Sequence, residues 1–207
     1  MDWQLDAAEA RVLGSMLEKE IATPDYYPLS LNALVNACNQ KSNREPVVAY
    51  DDVTVETALA ALRAKGLATR ITGGDSRVPK HGQRFTEQFN LGRREAALLC
   101  VLMLRGPQTV GELRGRAERL YVFDDLEAVE STLHRLAEMG FATELPRLAG
   151  SREPRHAHLL AGPVEASAAE ATPPPEHAAS LADRVTALEQ KLDQIARDFE
   201  EFRKKFE

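Results

Sequence analysis

A chain of 207 residues, 43% hydrophobic and 28% charged, has the composition of a soluble folded protein with room for two small domains and a tail. Its formal charge of -6 at pH 7 excludes a broadly cationic nucleic-acid binder, so any phosphate contact has to come from local basic patches. No apolar run of about 18 residues occurs, the start from Met1 to Asp6 is not a basic-apolar signal, and Cys38 and Cys100 sit in apolar helical contexts as core thiols, so the expected setting is the reducing cytoplasm, away from any membrane.

The first helix opens at Asp6-Ala7-Ala8-Glu9, a capping box, and carries Ala10, Leu13, Met16 and Leu17 on one face as far as about Lys19. Thr23 to Leu29 holds Pro24 and Pro28 and reads as a loop; Ser30 then caps a second helix with Leu31, Leu34, Val35 and Cys38 inward. The stretch from Asn39 to Pro46 is the most polar loop of the chain. Its Lys41, Asn43 and Arg44 are candidates for contact with phosphates or base edges, against the alternative of an ordered loop whose amides and hydroxyl bond their own backbone. A third helix is expected from near Asp51 to Lys65, then a strand from Ala68 to Thr72, a hairpin tip from Gly73 to Gly82 and a return strand from Gln83 to Asn90.

Most of this unit occurs twice. Val55 to Thr69 recurs as Val129 to Thr143, 74 positions on, with Val, Glu, both Leu, Gly and Ala-Thr in register, and Ser76-Arg77-Val78-Pro79-Lys80-His81 recurs 75 on as Ser151-Arg152-Glu153-Pro154-Arg155-His156. Glu9, Ala10 and Leu13 match Glu95, Ala96 and Leu99 at 86, and Pro28 and Leu34 match Pro107 and Leu113 at 79. The falling offset means that the first copy carries two insertions, the Tyr-Pro loop before helix two and the Asn39 to Pro46 loop before helix three. Gly66 and Gly140 stand where a helix C-terminus needs positive φ.

A helix, a short strand, a basic turn and a return strand form the back half of a winged helix. The expected class is mainly α with small β-hairpin wings (α+β): winged-helix domains over 1–90 and 91–160, a disordered linker over 161–179 and a coiled-coil helix over 180–207. The last rests on Leu181, Val185, Leu188, Leu192, Ile195, Phe199, Phe202 and Phe206, which alternate steps of four and three. Such a stripe predicts a homo-oligomer, parallel dimer or trimer, or else packing within the chain.

The motifs from Asn36 to Val47, Ser76 to Lys80 and Arg152 to Arg155 closely resemble the YceH-like family of uncharacterised bacterial proteins, over roughly Leu5 to Leu160. The resemblance implies tandem winged helices in a bacterial cytoplasm and carries no reaction or ligand. The residues themselves favour double-stranded DNA as partner, with Arg77, Lys80, Arg84, Arg152 and Arg155 on phosphate and Lys41, Asn43 and Arg44 as readers. Against it, the leading turns of the two third helices are acidic (Asp51, Asp52, Glu56; Asp124, Asp125, Glu127, Glu130). The competing expectation is a non-enzymatic scaffold that meets an unknown protein partner through those acidic faces and the insertion loops. No enzyme is expected, and no cofactor or metal: His156 and His158 alone are two ligands without a third.

Overall fold

The structure, a computed structural model, describes residues 4–73, 76–147 and 153–162. Those residues fold as mixed α+β, with seven α-helices and small antiparallel strand sets, inside one compact unit, Met1–Glu165. The 4-3 apolar repeat from Leu181 to Phe206 and the linker beyond residue 162 lie outside the described residues.

In the first copy, α1 (Ala7–Ala22) opens at the expected capping box: Asp6 Oδ1 accepts from Glu9 N at 2.7 Å while Glu9 Oε2 accepts from Asp6 N at 2.8 Å. A 3-10 turn (Pro24–Tyr26) leads to β1 (Leu29–Ser30), and Ser30 caps α2 (Leu31–Cys38). Then α3 (Asp52–Ala64) starts on the Asp51 side chain and ends at Gly66. There Gly66 N donates to Arg63 O and Leu67 N to Leu62 O, the paired bonds of a Schellman stop, which need the φ of +75° that glycine adopts freely. The second copy ends its third helix identically, with Gly140 N on Ala137 O and Phe141 N on Leu136 O at the same φ. The hairpin that follows in the first copy is β2 (Ala68–Gly73) against β3 (Ser76–Gln83).

Two features depart from expectation. Leu29 and Ser30 form a strand on β3 rather than loop, because Leu29 is buried and its extended backbone lies opposite His81, giving the sheet order β1-β3-β2. The return strand β3 runs Ser76–Gln83, where a hairpin tip was expected from Gly73 to Gly82; of the return strand expected from Gln83 to Asn90 only Gln83 belongs to it, and Phe85–Gln88 form instead a short helix, α4. The reason lies in the aromatic spacing: Phe85 and Phe89 are one helical turn apart and both reach Phe141 of the second copy, with ring centroids 5.5 and 5.0 Å away in edge-to-face packing. Gln83 Oε1 accepts from Thr86 N and starts the turn.

The second copy runs α5 (Arg93–Arg105), α6 (Val110–Ala117), α7 (Leu126–Glu138), β4 (Ala142–Glu144) and β5 (His156–His158). It keeps the third strand only as a bridge, Gln108 opposite His156, with bonds in both directions. That bridge is the counterpart of Leu29 opposite His81.

The copies share one core. The α5 stretch Ala96–Leu104 is buried throughout, because α1 covers the side that its own copy leaves open. At the crossing Gly14 meets its own counterpart, Cys100, whose thiol donates to Gly14 O at 3.5 Å. The missing side chain sets the approach, since a Cβ at Gly14 would stand 3.0–3.1 Å from Leu104 and from Met103 Cβ, which is fixed to the α5 backbone. Gly14→Val therefore overpacks the seam and lowers stability by about 2–3 kcal/mol, read as a drop in urea midpoint with an unchanged m-value.

Candidate functional site: the insertion loop, the hairpins and the seam

The Asn39 to Pro46 loop carries three candidate contact residues, and the structure sends them in different directions. Lys41 is exposed. Asn43 sits at φ +58°, and its side-chain oxygen accepts from Arg105 Nη2 of the second copy. Arg44 turns inward and is 5% exposed. Its Nη1 and Nη2 grip Glu18 at 3.2 and 2.7 Å, while Nε and Nη2 also donate to Ala37 O. It is a buried brace and presents no surface to a base edge.

Arg11, absent from the sequence-level candidates, completes the brace. It is 4% exposed and donates to Cys38 O at 3.3 Å and Pro46 O at 2.7 Å. Ala37 and Cys38 are the last residues of α2, so the two guanidiniums satisfy carbonyls that a helix end leaves without partners. Asn39 ties the far end of the loop by a two-way bond to the backbone of Tyr50, and Glu45 N donates to Leu104 O of α5. Counterpart positions explain why this set belongs to the first copy alone: Arg11 and Glu18 match Ala97 and Leu104, and the second copy has no such loop. A signal was present, a charge at two buried α1 positions where the repeat has Ala and Leu.

Burial pushes the Glu18 carboxyl up, and the Arg44 hydrogen bonds and charge, with Lys19, more than offset it, so its pKa lies below the ordinary glutamate value.

The hairpin residues stay outward. Lys80 stands opposite Ile71 at a half-buried position, with Val78 exposed two residues earlier on the same face. Arg84 is exposed and pairs with Glu87 at 3.2 Å, a weak surface contact. Arg155 is exposed, 4.0 Å from Glu112. The backbone of Arg77 lies in β3; its side chain, and all of Arg152, fall outside the described residues.

Between the third helix and its hairpin the local charge reverses from copy to copy, and in the second copy a groove lies there. In the first copy the buried His81 is approached by Arg63, Arg70 and Glu56. Burial and then the two guanidiniums lower its pKa, while Glu56 raises it. In the second, Ala137, Glu144 and Glu130 take those positions, His134 replaces Ala60, and Glu144 Oε2 lies 3.8 Å from His156 Nε2. Burial lowers the His156 pKa, Glu144 and Glu130 raise it, and His134 lowers it. That groove, about 410 Å³, also takes in Val110, Leu126 and Pro154. Among the described residues no His, Cys, Asp and Glu cluster is arranged to hold a metal ion, and no helix is long and apolar enough to cross a membrane.

Arg44→Met leaves the half-buried Glu18 carboxylate with Lys19 as its one remaining cation among the described residues, so the variant loses about 1–3 kcal/mol of stability near neutral pH. The pair's contribution is complete above the ordinary glutamate pKa and disappears as pH falls through the depressed Glu18 value. In the variant only Lys19 opposes burial and protonation relieves the cost, so denaturant melts of the two proteins converge as the solution is acidified.

Residues 5–151 match a family model described as "Protein of unknown function, DUF480". The chain is 67% identical to a UPF0502 protein of Solibacter usitatus over all of both chains. It is 50% identical to one of Opitutus terrae, over 91% of this chain and 81% of that one. A UPF0502 protein of Aeromonas hydrophila is 48% identical, over 94% and 93%. The duplicated helix-hairpin unit and its braced insertion loop thus belong to a bacterial type, and the chain is a member of the DUF480, or UPF0502, family of uncharacterised proteins.

Proposed function

We propose that each copy is a winged helix and that the protein is a non-enzymatic, cytoplasmic binder of double-stranded DNA that docks through the hairpin of its first copy. The observation that carries this reading is the cationic hairpin, with Arg70 on one face of β2, Lys80 on the other face in β3 and Arg84 just after β3, on a protein of net charge -6, together with the replacement of Arg70 by Glu144 at the matching second-copy position. Arg70 and Arg84 are exposed, and Arg84 has only a surface carboxylate to leave. Exposed Ile71 and Val78 add apolar contact of the kind that a sugar or a minor-groove wall accepts.

The docking is led by the hairpin rather than by the helix. Asp52, Val53 and Glu56 form the exposed start of α3, and two carboxylates there would face phosphates if the helix entered the major groove first. The 4-3 repeat beyond Leu181 joins chains, so two weak hairpins act at high effective concentration.

A second reading is favoured by the reversed groove. Glu130 and Glu144 beside apolar Val110, Leu126 and Pro154 suit a basic, partly apolar segment of a protein partner, and this copy then serves as the scaffold arm.

Fluorescence anisotropy on a mixed-sequence duplex between about 50 and 200 mM salt tests the first reading, since each phosphate contact adds about 0.9 to the slope of log affinity against log salt. The expected result is a steep slope in the full chain that falls by about two in Arg70→Ala/Lys80→Ala and stays put in Glu144→Ala. No binding at the lowest salt, or binding indifferent to the double substitution, rejects the hairpin as the contact.

A further inference from the structure

Where the second copy's helices end against α1, three arginines gather around a small cavity of about 40 Å³. Arg105 closes α5, Arg116 lies in the last turn of α6, and Arg119 follows in the turn after it. That space accommodates about three water-sized atoms, the footprint of an oxyanion's oxygens. Leu104 and Leu120 line its apolar side.

The cations outnumber the acceptors. Glu18 on the rim is committed to Arg44 and Lys19, and Glu112 to Arg116 at 3.2 Å. Arg119 makes no hydrogen bond or ion pair among the described residues. Arg105 is half-buried, and its one side-chain bond among the described residues is from Nη2 to Asn43 Oδ1, which holds the guanidinium plane while leaving Nε and Nη1 to donate elsewhere. Burial, and then Arg116 beside it, lowers the Arg105 pKa below that of a free guanidinium, with Arg44 adding to the shift and Glu45 and Glu112 opposing it. Helix C-terminal dipoles stabilise Arg105 and Arg116 where they stand, but each supplies only about half a charge.

We propose that this seam is a binding site for a small oxyanion, a phosphoryl or carboxylate group, held by the forked donors of Arg105, Arg116 and Arg119, with Asn43 as positioning residue. Planar guanidiniums grip such groups two bonds at a time, and the apolar side accepts a short carbon body behind the charged head. The site is independent of the hairpin and does not rest on the duplex reading. It joins the insertion loop, through Asn43, to the second copy, through Arg105, so an anion held there bears on both.

Isothermal titration calorimetry of the full chain with inorganic phosphate, against chloride at matched ionic strength, tests the site. Saturable one-to-one binding is expected, weakened about tenfold or more in Arg116→Gln/Arg119→Gln, the loss of charge-assisted bonds at two positions. Both side chains are on the surface side of the cavity, so the variant's unfolding midpoint stays near that of the parent, and Lys80→Gln binds phosphate as the parent does. No saturable heat, or equal affinity in the double variant, or loss in Lys80→Gln, overturns the site. A second arm, duplex anisotropy on the double variant, identifies the source of the oxyanion. Lost duplex affinity supports a DNA phosphate in the seam, and unchanged duplex affinity alongside lost phosphate binding supports a free anion.

Discussion

The contact between Gly14 and Cys100 sets the rest of the molecule. Each copy alone has a first helix that is apolar on two sides, one facing its own α2 and α3 and one facing nothing. A unit of that size buries too little surface to be comfortably stable. The chain solves this by pairing the two first helices, and because counterpart meets counterpart the contact has the self-complementary character of a symmetric dimer made within one chain. Glycine on one side and a small thiol on the other let the backbones approach. The cysteines follow from this role: burial raises the pKa of both thiols, and they serve as small apolar packing groups.

Pairing two copies leaves them free to diverge on every surface the seam does not use. The first copy has taken up an insertion loop, which exposes fresh backbone polar groups that need partners. Arg11 and Arg44 supply them, with Glu18 holding Arg44; both arginines are buried and Glu18 is half-buried, where the second copy has an apolar residue or nothing. Among the described residues Arg11 donates only to carbonyl oxygens, so its charge is compensated by helix-end dipoles. The arrangement is costly in desolvation, and it is specific: only a loop that returns its carbonyls to these two guanidiniums satisfies them.

Much of this was legible in the residues, and what was not has physical causes. The capping box at Asp6 and the glycine stops at 66 and 140 are local, decided within four residues of chain, and they stand where expected. Strand β1 escaped because two residues are too few for a periodicity and its partner lies some fifty positions away. The helix at Phe85–Gln88 escaped because its reason is Phe141, a residue of the other copy. Arg44 was misjudged in the same way: a cation in a polar loop looks solvent-facing until a carboxylate 26 positions back proves to lie beneath it. Lys41 and Arg84 are exposed, Arg84 beside Glu87.

The reversed charge of the two hairpins bears on how such a pair can act. If both copies met the same linear polyanion, Glu130 and Glu144 would stand against phosphate in the second copy and oppose what Arg63 and Arg70 favour in the first. A rigid seam makes that conflict unavoidable, since neither copy can swing away without breaking the Gly14 crossing or the Phe85, Phe89 and Phe141 cluster. The two hairpins therefore present unlike charge, and the seam holds them at a fixed distance and orientation. Duplication here has left one seam that pairs like with like and two hairpins of unlike charge, rather than a doubled version of a single surface.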